Sequence, residues 1–285
     1  VVLLGTLYPI IADFFNLGQV SVGPPYFNAL FVPLTWLLLL TMGMGSNLRW
    51  KQDKRPLLGI TLTILVSSAL LAAIVTYLFT QSLNLQIVVT SLLCLWVLGW
   101  IIYDIKDKTK HATSLGKGIK RLKAHYWGMQ IAHIGVLIVS LGIGITSALS
   151  IEKDVAMTVG DTVEIKDYDF TLVEFDEVRG KNYDATQAEI KVEKDGKYVT
   201  TLYPQKRNYV VSSMPMTEAS IQTTFFRDLY VALGEPIDEN DPDGSWAVRI
   251  YVKPMIAWLW TGSIVMALGA LISMLDRRYR LKKSS

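Results

Sequence analysis

The stretch YWGMQIAHIGVLIVSLGIGITSAL, residues Tyr126–Leu149, decides the fold class of this chain. It contains no Asp, Glu, Lys or Arg, and a helix of this length crosses the hydrocarbon core of a bilayer, which is roughly 30 Å thick. His133 is the ionisable residue inside it. An ionisable side chain within a membrane span is costly and usually faces the protein interior, paired or ligated. His133 is therefore the first candidate for a functional residue.

Other apolar runs surround this stretch, and they predict a polytopic membrane protein with a mean hydropathy of +0.32. The opening VVLLGTLYPII is predicted to be the outer end of a span whose beginning is missing, which makes the chain a fragment or the C-terminal part of a longer polypeptide. Including Tyr126–Leu149, five runs are predicted to cross the membrane as helices after this opening: Ala29–Ser46, Leu57–Phe79, Leu85–Tyr103, Tyr126–Leu149 and Met255–Leu275.

The connectors between these runs alternate in charge. Lys and Arg are concentrated in Asn47–Pro56, in Asp104–His125 and after Leu275, whereas Val1–Asn28 and Thr80–Asn84 contain neither. Because basic residues favour the cytoplasmic side of a membrane, the basic loops and the C-terminus are predicted to be cytoplasmic. Anionic lipid at that surface accounts for these charges, so no nucleic-acid partner is predicted.

The segment between the last two spans has a different composition and is predicted to be an all-β insertion on the outer side. It has 20 acidic and 12 basic residues over Ser150–Lys253. Apolar residues alternate in DTVEIKDYDFTLVEF and AEIKVEKDGKYVTTLY, Asp195-Gly196 is a hairpin turn signal, and EASIQTTFF, DLYVALG and SWAVRIYV read as strands. GEPIDENDPDG is predicted to be a loop.

Many short strands favour a small antiparallel barrel or sandwich. The predicted organisation is a membrane α-helical bundle with this β-domain inserted. Helices and loops occupy residues 1–149, the β-domain residues 150–253, and the last span with its basic tail residues 254–285.

The helix around His133 has two predicted faces. Gly128, Ala132, Gly135 and Gly142 form a stripe of small residues suited to close packing against a neighbouring helix. His133 points away from that stripe. Three interpretations of the imidazole remain open: a neutral side chain bonded to a neighbouring span, a ligand of haem or another metal, and a group on a proton or substrate path.

Geometry restricts the second of these interpretations. His125 precedes His133 by eight residues, roughly 12 Å along the same helix, so it cannot oppose it across an iron atom. His111 is predicted to lie in the cytoplasmic connector, and both are predicted to be solvated or interfacial. A bis-histidine haem would need its second ligand from outside this chain. Cys94 is the one cysteine, so the chain cannot form an internal disulfide.

No other motif in the sequence indicates a catalytic or cofactor-binding site. The chain has no P-loop, no GxGxxG and no hydrolase triad pattern, so no catalytic side chain is predicted. Arg249 and Lys253 could contact haem propionates, but charges on a strand surface or beside a span are the preferred interpretation.

Several blocks of the sequence resemble one known family, CcmF, the integral-membrane haem lyase subunit of cytochrome c maturation. The resemblance covers almost the whole chain and keeps the order of the blocks. A paralogue dedicated to nitrite reductase would look much the same. The blocks are SVGPPYFN (Ser21–Asn28), MQIAHIGVLIVSLG (Met129–Gly142), FRDLYVALGEP (Phe226–Pro236), WAVRIYVKP (Trp246–Pro254) and DRRYR (Asp276–Arg280).

The resemblance implies that His133 is an axial ligand of a structural haem b and that the β-domain lies in the periplasm of a bacterial inner membrane. Haem would there be attached to the CxxCH cysteines of apocytochrome c. Implied partners are the haem chaperone CcmE, a CcmH-type thiol-reducing subunit, the N-terminal part of the same protein or a separate subunit, and membrane lipid. The competing hypotheses are a non-catalytic assembly factor that docks partners through the β-domain, and half of a transporter.

Overall fold

The computed structural model describes residues 2–15, 18, 23–45, 48, 57–211, 214–238 and 244–276. Seven helices and ten strands run along this described part of the chain. They form two compact units, one of residues 1–141 with 262–285 and one of residues 142–261. All ten strands lie in the second unit.

Each predicted span coincides with a helix. Four helices are long and apolar enough to cross a membrane, namely α3, α4, α6 and α7, whereas the apolar part of α2, Ala29–Gly45, is shorter. The chain is therefore part of a multi-pass membrane protein. The helices are α1 (Val2–Phe14), α2 (Pro24–Gly45), α3 (Leu57–Thr80), α4 (Leu85–Thr109), α5 (Leu115–Arg121), α6 (Ala124–Leu149) and α7 (Ile256–Met274).

The prediction was wrong about where α4 ends and the following loop begins. Helix α4 continues to Thr109 instead of ending at Tyr103, and the short helix α5 occupies part of the expected loop. The helix continues because Asp104 is buried and hydrogen-bonded, and because Lys106 and Lys108 suit the negative end of the helix dipole. Other predicted connector residues, 49–56 and 277–285, lie outside the described residues.

Helices α2 and α4 share an apolar core that contains two indole hydrogen bonds. The Nε1 of Trp96 donates to the carbonyl oxygen of Leu40 at 3.1 Å, and the Nε1 of Trp36 donates to Oγ1 of Thr90 at 3.3 Å. These bonds satisfy polar groups that lipid could not. Around them lie the buried side chains Leu39, Leu93, Cys94, Val97, Trp100, Ile101 and Leu137.

Helices α6 and α7 approach each other through glycine. A Cβ atom added to Gly135 would lie 2.7 Å from the carbonyl oxygen of Gly262, and one added to Gly262 would lie 2.6 Å from that of Gly135. At the next contact, a Cβ on Gly269 would lie 2.6 Å from the carbonyl oxygen of Gly128 and 2.5 Å from the amide nitrogen of Ala132. The predicted packing face of small residues is confirmed.

The ten strands form two antiparallel sheets. One has the order β1-β10-β9-β8, and the other has the order β2-β3-β4-β6-β7 with β5 paired to β4. The strands are β1 (Ile151–Met157), β2 (Thr162–Ile165), β3 (Tyr168–Arg179), β4 (Tyr183–Lys194), β5 (Lys197–Leu202), β6 (Gln205–Tyr209), β7 (Met216–Glu218), β8 (Ser220–Thr223), β9 (Arg227–Pro236) and β10 (Trp246–Pro254).

A single apolar core joins the two sheets, so the β-domain is a sandwich. Its fully buried side chains come from both sheets, among them Phe170 and Ile190 from one and Leu229 and Ile250 from the other. The predicted turn at Asp195-Gly196 joins β4 to β5, and both of its residues have positive φ, 51° and 70°. That backbone conformation is the one that favours Asp-Gly in a tight hairpin.

Some strands differ from the prediction. Strands β1 and β6 and most of β7 were not expected, β8 ends at Thr223 within the predicted strand EASIQTTFF, and β9 extends to Pro236, into the segment predicted as a loop. Strand β1 is stabilised by pairing with β10, where Ile151 is opposite Val252, about a hundred residues later. Such distant pairing leaves no local signal. Residues 239–243 of the predicted loop lie outside the described part of the chain.

A buried carboxylate in β9 gives a testable pH dependence. Burial raises the pKa of Asp228, although hydrogen bonds from Thr223 and Thr224 partly offset this effect, and Oδ1 has no partner among the described residues. A raised folded-state pKa means that the ionised form destabilises the fold at neutral pH. We expect Asp228→Asn to slow hydrogen exchange of β9 amides at pH 7, with the difference shrinking as the pH falls towards 3.8, the ordinary value for Asp. Equal exchange rates at pH 7 would contradict this.

Candidate functional site

His133 lies on α6, part-exposed and part-buried. Its Nδ1 is buried and has no hydrogen-bond partner within the described part of the chain. Its Nε2 is not among the buried unpartnered atoms of those residues. An imidazole nitrogen left unpaired inside a protein is costly, because it has lost water without gaining a donor or acceptor. The ring is therefore unsatisfied by the residues described around it.

The face of α6 opposite the glycines is buried against α4. Tyr126, Gln130, Leu137 and Ser140 are all buried on it. The two helices touch at two levels: Gln130 contacts Asp104, and the Sγ of Cys94 lies 3.8 Å from the carbonyl oxygen of Leu137. His133 falls between Gln130 and Leu137 in the helix, so it lies between these two levels.

Asp104 is the centre of a buried polar cluster that sequence reasoning missed. It is 5% exposed, and its Oδ2 accepts hydrogen bonds from the hydroxyl of Tyr126 at 2.7 Å and from Nε2 of Gln130 at 3.2 Å. Its Oδ1 is paired with Lys108. Hydrogen bonds to an ionised acceptor are stronger than neutral ones, which explains how a carboxylate is tolerated at this position.

The sequence contained a partial signal for this cluster. Asp104 directly follows an apolar run and precedes Lys108 by four residues, a spacing that favours an ion pair on one helix. Because Asp104 was assigned to a loop, that helical spacing was not used. The partners on α6 could not be found locally, since they lie more than 20 residues away along the chain.

His125 and His111 have surroundings unlike those of His133. The Nδ1 of His125 lies 2.9 Å from Oδ2 of Asp276, and the same oxygen accepts the backbone N–H of His125 at 2.8 Å. His111 is exposed, just after α4. His125 is thus a paired residue at the start of α6, and the structure brings neither histidine to His133.

Arg249 and Lys253 are strand residues with partners of their own. The guanidinium of Arg249 binds the carboxylate of Asp154 through two hydrogen bonds, of 2.6 and 2.9 Å, and holds the pKa of that carboxyl below its usual range. The Nζ of Lys253 lies 4.2 Å from the ring centroid of Tyr251. Both residues thus lie on β10, as their interpretation as strand charges expects, and contact with haem propionates stays a prediction.

Comparison with known proteins finds a similarity to CcmF. Residues 148–254 match the family model described as the CcmF C-terminal β-sandwich. The chain is 44% identical over 282 residues to the cytochrome c-type biogenesis protein CcmF of Pseudomonas aeruginosa, covering 99% of the chain and 42% of that protein. It is 42% identical over 285 residues to the CcmF of Pseudomonas fluorescens, covering 100% of the chain and 42% of the relative. The chain is therefore similar to CcmF proteins over almost all of its length.

A solved structure, that of the cytochrome c haem lyase CcmF, has the same fold. The TM-score is 0.74 at 20% identity, over 97% of the chain and 43% of the solved protein. The chain spans less than half the length of the CcmF relatives that it matches. The predicted fold, a membrane helical bundle with an inserted β-domain, is confirmed, and the β-domain matches the model of the CcmF C-terminal β-sandwich.

Proposed function

We propose that this chain is part of a cytochrome c haem lyase subunit and that His133 is an axial ligand of a haem b held within the membrane. The observation that carries the proposal is the unsatisfied imidazole of His133 on the membrane-length helix α6. The second axial ligand comes from outside this chain, because His125 is bound to Asp276 and His111 is exposed. The similarity to the cytochrome c-type biogenesis protein CcmF supports a role in that process.

The donor set suits haem better than a bare metal ion. No group of three or more His, Cys, Asp or Glu that could hold a metal ion occurs among the described residues. A haem needs only one protein ligand on each face, since the porphyrin supplies the other four. His133 would hold the group through Nε2, with Nδ1 left to donate a hydrogen bond. When bound, the haem would supply electrons that keep the haem being attached reduced.

The proposal also includes the orientation of the protein in the membrane and its partners. The β-domain faces the periplasm and the basic connectors face the cytoplasm of a bacterial inner membrane, as the distribution of Lys and Arg favours. Covalent attachment takes place on the periplasmic side, at the CxxCH cysteines of apocytochrome c. The partners are the haem chaperone CcmE, a CcmH-type subunit, the remainder of the CcmF protein and lipid.

An optical spectrum of the full-length protein tests His133. We expect His133→Ala to abolish or shift the reduced-minus-oxidised b-type haem spectrum. His125→Ala is the matched control, because it removes a histidine from the same helix that already has a partner, and it should leave the spectrum unchanged. An unchanged spectrum in the His133 variant would refute haem ligation by this residue.

A non-catalytic assembly factor is the second candidate. A groove of about 490 Å³ on the four-stranded sheet, lined in part by Tyr230, Arg249 and Tyr251, favours this candidate, because it offers a concave surface for docking a partner. It predicts that deletion of residues 150–253 abolishes capture of apocytochrome, whereas His133→Ala retains full cytochrome c maturation in cells. Loss of maturation in the His133 variant would exclude it.

A further inference from the structure

The polar cluster around Asp104 fixes the orientation of one neighbouring side chain. An ionised carboxylate only accepts hydrogen bonds, so the amide of Gln130 must turn its Nε2 towards Asp104, and the distance is 3.2 Å. The amide oxygen, Oε1, is then directed elsewhere. It is buried and has no partner among the residues that the structure describes. Gln130 is 2% exposed, so bulk water does not compensate for this unmet acceptor.

The unmet acceptor of Gln130 lies one helical turn from the unpartnered Nδ1 of His133. Gln130 and His133 are three residues apart on α6, and side chains with this spacing are neighbours on a helix surface, about 5–6 Å apart at Cβ. The Nδ1 of His133 is the other buried unpartnered atom of this part of the helix. Side chains on a helix lean towards its N-terminus, which directs the imidazole of His133 over the turn that contains Gln130.

A histidine that binds a metal through Nε2 carries its proton on Nδ1, and that N–H nearly always donates to a neighbouring acceptor, which fixes the ring and strengthens the ligand. No backbone carbonyl of the described residues accepts a hydrogen bond from Nδ1 of His133. Gln130 is the nearby side chain with a buried, unused oxygen.

We propose that Gln130 is the positioning residue of His133: its Oε1 accepts the Nδ1–H of the ligand through one bridging water molecule, since the two atoms are not bonded to each other directly, and Asp104 holds the amide in the orientation that presents this oxygen. This inference rests on the proposed function, because it concerns His133 as a haem ligand. It adds a chain of contacts from Asp104 through Gln130 to His133. Through these contacts, a residue of α4 affects the release and the reduction potential of the haem.

Removal of the acceptor tests the proposal in the full-length, haem-loaded protein. Gln130→Met keeps the length of the side chain and removes both polar atoms. We expect it to retain haem but to release it to an apo-globin acceptor about 10- to 100-fold faster, the usual cost of losing a partner of a metal-bound histidine. The haem reduction potential should rise, because a less basic imidazole stabilises the ferric state less well. Ser140→Ala, which removes a buried hydroxyl from the same face of α6, should change neither property.

Exchanging the carboxylate of Asp104 with the amide of Gln130 gives a second test. If Gln130 had only a structural role, this exchange would not change the haem reduction potential in a defined direction. In Asp104→Asn combined with Gln130→Glu, the amide donates to the carboxylate, and the carboxylate keeps an oxygen for His133. Because an anionic acceptor strengthens the ligand, the reduction potential should fall below that of the wild type, opposite to Gln130→Met.

The results of these variants distinguish the role of Gln130 from the role of His133 as a haem ligand. Wild-type potential and haem release in both Gln130 variants, together with loss of the spectrum in His133→Ala, would overturn this inference and leave the proposed function standing. An unchanged spectrum in His133→Ala would overturn both.

Discussion

Replacing Gly262 with alanine is expected to destabilise the helical unit by about 1–3 kcal/mol, the usual cost of overpacking a tight interface. The added Cβ would lie 2.6 Å from the carbonyl oxygen of Gly135 and 2.8 Å from the backbone nitrogen of Val139. Backbone atoms cannot turn aside as a flexible side chain can, so α6 and α7 must move apart. Thermal unfolding of the detergent-purified protein, followed by helical circular dichroism, measures the loss.

Gly59→Ala is the matched control for this substitution. It also adds one methyl group to a glycine within a helix, on α3, but nothing lies within 4 Å of the new Cβ. Because alanine favours the helix over glycine, this variant should be neutral or more stable by up to about 1 kcal/mol. Equal destabilisation by the two substitutions would show that helical glycine itself, and not the close approach of α6 and α7, is responsible.

A double variant adds a second check of the same contact. Gly135→Ala alone is expected to separate the helices in the same way, since its Cβ would lie 2.7 Å from the carbonyl oxygen of Gly262. Once one substitution has moved the helices apart, the other meets less resistance. The double variant should therefore lose less stability than the sum of the single variants. His133 lies two residues before Gly135, so the same variants should also perturb a haem bound to it.

Truncating Phe170 to alanine is expected to cost the β-sandwich about 3–5 kcal/mol, the range for an aromatic side chain removed from a core. Phe170 is fully buried on β3 and belongs to the core shared by the two sheets. Its removal leaves a cavity that the surrounding strands cannot fill. Hydrogen–deuterium exchange of β3 and β4 in the intact protein reports the opening free energy of the sandwich directly.

Val173→Ala on the same strand is the control for Phe170→Ala. Val173 is 39% exposed and is not part of the core, so its truncation should change the opening free energy by no more than about 0.5 kcal/mol. Exchange in α3 should be unaffected by either substitution, because α3 belongs to the other compact unit. A Phe170 variant with wild-type exchange in β3 would contradict the assignment of a single shared core.

The helices could be predicted because their signal is local. The apolar run that ends at Leu149 is long enough to require a helix, since backbone groups in lipid must be satisfied within the segment. The stripe of Gly128 and Gly135 likewise predicted a close helix contact, because small residues at this spacing share one face. The hairpin at Asp195-Gly196 followed from the backbone conformation that these two residues adopt readily.

Other features had no local signal. The end of α4 at Thr109 depends on partners of Asp104 that come from α6, and the loop assignment of Asp104 was wrong for that reason. Strand β1 exists because it pairs with β10 at the far end of the β-domain. The site was found only in part: His133 was the expected candidate, but its neighbours Gln130 and Asp104 were not recognised, and its role as a haem ligand stays a prediction.

The sequence by itself determined which segments are apolar enough to span a membrane, where the strands alternate, and that one imidazole sits within a span. These properties depend on composition and on the periods of helix and strand, which neighbouring residues set. Only the tertiary structure decided which partners the polar groups have. Whether Asp104 is buried and bonded, and whether Nδ1 of His133 is left unpaired, depends on side chains that folding brings together from distant parts of the chain.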